Sequence, residues 1–322
     1  MSRSLREILN ERLFVTNAGT ETYLVFQQGF ELPEFCAFAV FEDEAAWSAL
    51  VRDYLHPILD AAAEAGHGLL LDALTWRAQP DFLERLGHPR DALLPIHERA
   101  VARHREAVAA WRERSGVAPE TLPVLVAADV GPRGDGYRIE GEAITAESAR
   151  GYHRAQLEAA AEAGVDLACA LTMTGLAESI GIVHAAIDCG LPIVVSPTVE
   201  TDGRLPDGTA LGTFVEQVDR ATDAAPEFYM VNCAHPDHVV PALEAARAAD
   251  AAWLGRFRGL RANASRKSHA ELDESTELDR GDVAALARHM AELRDTFDLA
   301  VVGGCCGTDH EHLAAMAADT AR

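Results

Sequence analysis

Eight short apolar runs recur along the chain, and longer segments whose apolar positions return every three or four residues lie between them. The runs 13–18, 69–74, 124–128, 165–171, 192–196, 228–232, 259–262 and 299–302 read as buried strands. The segments 44–65, 91–114, 146–163, 176–189, 211–221, 236–249 and 283–296 are rich in Ala, Glu and Arg and read as amphipathic helices. Strands buried on both faces and joined by helices imply a parallel sheet. Eight such units favour closure into a single-domain (β/α)8 TIM barrel over an open, doubly wound sheet. No Ser/Gly-rich linker or shift of composition marks a boundary, so residues 1–322 read as one α/β domain.

Polar residues gather directly after the strands, at 17–22, 75–77, 129–135, 172–174, 198–201, 233–235, 263–265 and 305–306. In a barrel they would all ring the C-terminal face, where TIM-barrel enzymes keep their catalytic groups. The segments 27–43 and 265–281 exceed the usual length of a βα loop and would hang over that face as lids.

Composition narrows the class. A formal charge of −23 argues against nucleic-acid or anionic-membrane surfaces, which call for Lys/Arg patches. Residues 1–10 are mixed and charged, without the apolar core of a signal peptide. No run approaches the roughly 18 apolar residues of a membrane span. Six cysteines in 322 residues are too few and too unevenly spaced for a disulfide framework. The expectation is a cytoplasmic, reduced enzyme acting on small molecules, alone or as a homo-oligomer.

Three of those cysteines carry the candidate chemistry. The run 299–302 is ended by Gly303-Gly304, followed by Cys305-Cys306, Gly307 and a helix start at Thr308. Cys233 ends another apolar run, Tyr229-Met230-Val231-Asn232-Cys233. Vicinal Cys305 and Cys306 are poor partners for each other, because the ring they would close is strained. Three thiolates at strand ends, with room for a fourth ligand, describe an open zinc site. Such a site suits deprotonation of a substrate thiol better than generation of hydroxide. The plain alternative is three buried cysteines packed as small hydrophobes. The flanking glycines, which let backbone approach a site closely, favour the metal.

Asn232-Cys233 together with Gly303-Gly304-Cys305-Cys306-Gly307-Thr308 resembles the signature of the zinc-dependent homocysteine S-methyltransferase family. Weaker similarity runs nearly end to end. Asn17-Ala18-Gly19-Thr20-Glu21-Thr22 stands where the family has an Asp-Gly-Gly-Met-x-Thr loop, and Val130-Gly131-Pro132-Arg133-Gly134 resembles its Gly-Pro-x-Gly turn. Ser196 with Asp202-Gly203-Arg204-Leu205 and Asp207-Gly208 resembles its fifth-strand loop, and Arg261-Ala262-Asn263-Ala264 the end of its seventh strand. The resemblance implies a (β/α)8 barrel in which Cys233, Cys305 and Cys306 bind zinc. The acceptor thiol would be that of homocysteine, methylated to methionine by a sulfonium, ammonium or folate-type donor. It also implies that Asn17, Ala18, Gly19, Thr20, Thr172 and Asn232 line the substrate site, with amides of 18–20 on the acceptor's carboxylate.

The departures from the family pattern are specific. Asn17 replaces an Asp, Ala18 and Thr20 replace a Gly and the Met, and Leu74 stands where Asn is usual. Leu171-Thr172-Met173-Thr174 lacks the Glu that receives the substrate's ammonium. Glu21, Glu178 or Asp129 could compensate. Two further readings stay open: a methyltransferase for another thiol or a selenol, and a non-catalytic barrel whose zinc is closed by His235. Among other residues, His238 reads as helix surface, and His310 and His312 as caps or solvation of the last helix start, with Thr308 or Asp309 as N-cap. Trp76 is a better candidate than Tyr229 to face a cationic donor. Glu200, Asp202 and Arg204 suit either a donor pocket or ordinary turns. Cys36, Cys169 and Cys189 read as packing residues.

Overall fold

The computed structural model describes residues 5–137, 144–273, 275 and 277–321. Eight parallel strands close in sequence order. They are β1 (Phe14–Thr16), β2 (Gly68–Asp72), β3 (Val124–Val130), β4 (Leu167–Met173), β5 (Ile193–Pro197), β6 (Tyr229–Ala234), β7 (Phe257–Ala262) and β8 (Val301–Gly304), with β1 bonded back to β8. The helices are α1 (Leu5–Glu11), α2 (Thr20–Phe26), α3 (Glu44–Leu50), α4 (His56–Ala65), α5 (Pro80–Arg85), α6 (Leu93–Ser115), α7 (Ala146–Ala163), α8 (Leu176–Asp188), α9 (Leu211–Thr222), α10 (Pro236–Ala248), α11 (His269–Asp273), α12 (Val283–Phe297) and α13 (His310–Thr320). None is long and apolar enough to cross a membrane among the described residues.

Strand side chains alternate between two cores, because successive residues of a pleated strand face opposite ways. Val15, Leu71, Val126, Val195, Val231 and Val302 face outward and pack beneath the helices. Phe14, Leu70, Ala127, Cys169, Met230 and Val301 fill the barrel's interior, closed from below by Leu9 of α1. One step further along the same alternation stand Thr16, Asp72, Asp129, Leu171, Asn232, Arg261 and Gly303. The interior is therefore apolar at depth and polar at its C-terminal end.

Three departures from the expected elements have local causes. Gly303 and Gly304 lie inside β8 and do not end it. A Cβ on Gly303 would overlap Thr16 Oγ1, and one on Gly304 would overlap Thr308 Oγ1, so glycine there makes room for neighbouring side chains. The expected helix 44–65 contains a π-turn, Val51–Leu55, between α3 and α4. Pro57, at the start of α4, lacks the N–H that an uninterrupted α-helix would use, and the wider turn sends the His56 amide to Val51. The last helix begins at His310, not Thr308. Asp309 caps it, and His312 Nδ1 accepts from the Asp309 amide in return. Of the two segments expected as lids, 27–43 folds into 3₁₀ turns at Pro33–Phe35 and Ala37–Glu42. Among the described residues of 265–281, α11 is the helical part.

Candidate functional site

The even-numbered strands β2, β4 and β6 share an irregular C-terminal end. Leu74, Thr172 and Cys233 take left-handed backbone conformations (φ 60°, 59° and 55°), and the register of β4 and β6 shifts around the last two. A non-glycine residue in this region is strained, and a bulge re-aims its side chain. In β6 the result is that Asn232 and Cys233, though adjacent, both face the barrel mouth: the Asn232 amide lies 3.4 Å from Cys233 Sγ.

Cys305 and Cys306 follow β8 on a turn that passes through Gly307 at φ 81°. The sulfurs of Cys233, Cys305 and Cys306 all lie within 4.8 Å of one another, and among the described residues no other such group of ligand atoms occurs. Cys233 and Cys305 are in direct sulfur–sulfur contact with Cα atoms 5.4 Å apart, a pairing the sequence did not suggest, and Cys306 is free. Asn232 organises the cluster. Its Nδ2 donates toward Cys233 and, at 3.8 Å, toward Cys305, while its Oδ1 accepts from Ser196 Oγ at 2.7 Å and the Thr172 amide at 2.8 Å. Burial pushes the Cys306 thiol pKa up, and the Tyr137 hydroxyl, 3.4 Å from its sulfur, draws it back. Tyr137 stacks on His269, ring centroids 4.4 Å apart, and His269 bridges the Cys233 carbonyl and Glu200.

The sulfurs open onto a cavity of ≈ 260 Å³ at the barrel mouth. Its polar floor is the top inward layer of the strands. Arg261 makes a two-pronged ion pair with Asp72, both buried, one prong at 3.0 Å. Asp129 Oδ2 accepts the Leu74 amide at 3.1 Å, while Oδ1 meets no donor. Burial, and next the charge of Asp72, hold the Asp129 carboxyl well above the usual carboxylate range. Glu21 is raised chiefly by burial. At the rim, the Arg77 guanidinium stacks on Trp76 and Phe82 and donates to the carbonyls of Pro132 and Gly134. Burial lowers its pKa to about 10.

Ala18, Gly19, Thr172 and Asn232 line this cavity, whereas Asn17 and Thr20 do not. Asn17 accepts the Asp72 amide, and the Thr20 hydroxyl bonds to Tyr54. The amides of Gly19 and Thr20 already serve the carbonyls of Thr308 and Ala18. Of the three carboxylates weighed as compensation, Glu21 and Asp129 border the cavity. Glu178 instead binds His153 and the Arg133 amide. His235 is no fourth ligand: its Nδ1 accepts from the Asp237 amide and caps α10. Trp76 lines the cavity, while Tyr229 is buried with its hydroxyl on Asp219. Asp202 and Arg204 are spent on their own turn. Sequence reading missed Asp72, Tyr137 and His269. For Asp72 a signal existed, a lone charge interrupting the run Leu69-Leu70-Leu71-Asp72-Ala73-Leu74.

Comparison with known proteins gives the fold and the family. Among curated proteins, none matches the chain by sequence. Solved structures of similar fold include homocysteine methyltransferase MmuM from Escherichia coli. Its oxidised form matches with a TM-score of 0.74 at 19% identity, covering 98% of this chain and 99% of that one. Its metallated form matches at 0.68 with 18% identity and the same coverage. The sequence model of the family described as homocysteine S-methyltransferase matches residues 29–320, nearly the whole barrel. The chain belongs to the homocysteine S-methyltransferase family.

Proposed function

We propose that this chain is a zinc-dependent S-methyltransferase that moves a methyl group from a sulfonium, ammonium or folate-type donor to the thiol of homocysteine, giving methionine. The observation that carries this reading is the group of three converging cysteine sulfurs in the wall of a cavity at the barrel mouth. The donor set fits the metal: three sulfur ligands on two non-adjacent strand ends, bordering space for one more ligand. Cys233, Cys305 and Cys306, once reduced, would hold the ion. When bound there, zinc would lower the pKa of a thiol occupying the remaining position.

The chain's own residues do the rest. Asn232 donates from Nδ2 to the Thr172 hydroxyl as well as toward the sulfurs and accepts from Ser196, so its orientation is set before any ligand arrives. Trp76 and Tyr137 are among the walls of the cavity that would surround the reacting pair. The acceptor sulfur forms a bond to the methyl carbon while the donor atom keeps the electron pair of the bond it loses. Positioning and thiol activation account for such a transfer without a general base.

The test is metal content and methyl transfer of the reduced protein beside a Cys305→Ala/Cys306→Ala variant. About one zinc per chain, lost in the variant together with transfer of a labelled methyl group to homocysteine, is the expected result. A reduced wild type that takes up no zinc on reconstitution would overturn the reading. An acceptor panel of other thiols and a selenol separates homocysteine from its competitors.

A further inference from the structure

Arg77 is a buried charge that the protein does not pair. It follows β2 at the barrel mouth, is only 6% exposed and borders the cavity. Its guanidinium lies against the rings of Trp76 and Phe82, 4.0 and 4.3 Å from their centroids, which fixes its plane. Nη1 donates to the carbonyls of Pro132 and Gly134 at 2.9 and 2.8 Å. Among the described residues no carboxylate hydrogen-bonds to it, and Asp135 acts on it through charge alone. Nε is enclosed without a partner, whereas Nη2, equally without one, is not enclosed. Tying down the 131–134 turn needs only two N–H donors, which a neutral glutamine amide also has. A buried guanidinium that still keeps its charge, with a pKa of about 10, is a costly strut. Its unused nitrogen beside a cavity calls for an anion that arrives with a ligand.

We propose that Arg77 binds a carboxylate of the methyl donor, which makes that donor a zwitterion whose methylated sulfonium or ammonium stands apart from its carboxylate. A planar guanidinium held against two rings is oriented for a carboxylate before one arrives. The placement separates donor from acceptor. In the closed ring of eight strands β2 stands four strands from β6, so Arg77 and Cys233 belong to opposite sides of the mouth. A thiol held at the cysteines would then be met from across the cavity, as displacement in line requires. A carboxylate anchored on Arg77 leaves the rest of the donor in the cavity that the sulfurs share. A bare anion is a poor occupant, because Glu21, Asp72, Asp129 and Asp135 border the same space, and the donor's own positive charge offsets them. An onium donor with no carboxylate leaves Arg77 unpaired. That the carboxylate belongs to the methyl donor rests on the proposed function; the carboxylate subsite itself does not.

Binding of matched acids and amides to the reduced protein tests this. Glycine betaine and dimethylsulfoniopropionate are titrated calorimetrically beside their primary amides, which keep the size and the onium charge but lose the negative charge. Wild type is expected to bind at least one acid about tenfold or more tightly than its amide, the scale of one charge-assisted hydrogen bond. Arg77→Gln is expected to abolish that preference and to leave the affinity for the amide unchanged, a split that a merely structural role would not produce. Arg77→Lys, which keeps the charge without the fork, is expected to retain part of the preference. Failure of wild type to bind either acid, or equal binding of each acid and its amide, would overturn the subsite. So would a preference that survives Arg77→Gln. A parallel loss of acid and amide in both variants would overturn it too, and would make Arg77 only a strut for the 131–134 turn. A wild type that prefers the acid through Arg77 yet methylates no homocysteine would refute the proposed function and leave the subsite standing.

Discussion

Asn232 holds the sulfur cluster in order, and its amide can be tested apart from the sulfurs. Its Nδ2 donates toward Cys233 and Cys305, and its Oδ1 has two donors of its own. Asn232→Asp keeps size and shape but replaces the donor with a charge beside the sulfurs. Metal affinity, measured by competition with a chromogenic chelator, is expected to fall about 10–100-fold, with the fold retained by circular dichroism. Unchanged affinity would show that the sulfurs need no such support. Gly303 is the second residue with a sharp expectation. A methyl group there overlaps Thr16 Oγ1 in a closed layer, so Gly303→Ala should cost about 1–3 kcal/mol in urea unfolding. Thr16→Ala in the same chain should restore part of the loss, and an unaffected single variant would refute the contact. At this scale the sequence was most legible where residue types are rare. Three cysteines beside Asn and Gly announced themselves, whereas Tyr137 and His269 are ordinary residues that matter only through where their loops fold.

Helix α6 shows what an element conceals. Its apolar period placed it well, yet two histidines, His97 and His104, lie on its buried face. Each Nδ1 bonds to the carbonyl four residues earlier, and His104 is flanked edge-on by Phe41 and Trp47. Burial pushes both imidazoles down to about 4. An unfolded histidine titrates near 6.5, so between about pH 6.5 and 4 the unfolded chain takes up protons that the native one refuses. The stability these groups support is therefore whole above about pH 6.5 and is lost as pH falls toward 4. Each contributes up to about 1.4 kcal/mol per pH unit within that window. Urea unfolding at pH 7.5 and 5.0 should show the decline, shallower in His97→Gln/His104→Gln. An equal decline in that variant would mean that other groups carry it. Periodicity locates a helix and its apolar stripe, but it does not say which polar residues the stripe admits. Nor could it foresee the π-turn before α4, or β8 running on through two glycines.

Closure of the whole barrel was legible by counting, since eight strand–helix units in one chain leave few other architectures. The charged layer inside it was not, because Asp72 and Arg261 are 189 residues apart and meet only once β2 and β7 take their places in the ring. That pair joins two sectors of the barrel across its interior and supplies the main positive charge among Asp72, Asp129 and Glu21. Desolvation makes such a pair a poor source of net stability, but removal of one member strands the other. Arg261→Met should therefore cost about 3–5 kcal/mol, since it leaves the neighbouring carboxylates without their cation. Asp72→Leu/Arg261→Met should be closer to wild type than Arg261→Met alone, because the double change removes a buried charge together with its partner. The comparison is made by denaturant unfolding of all four members of the cycle. Additive losses would mean that the two residues act independently and that the layer is merely a set of separate polar side chains. A strong positive coupling would make the pair the device that lets a barrel with an apolar interior hold charged side chains at its mouth.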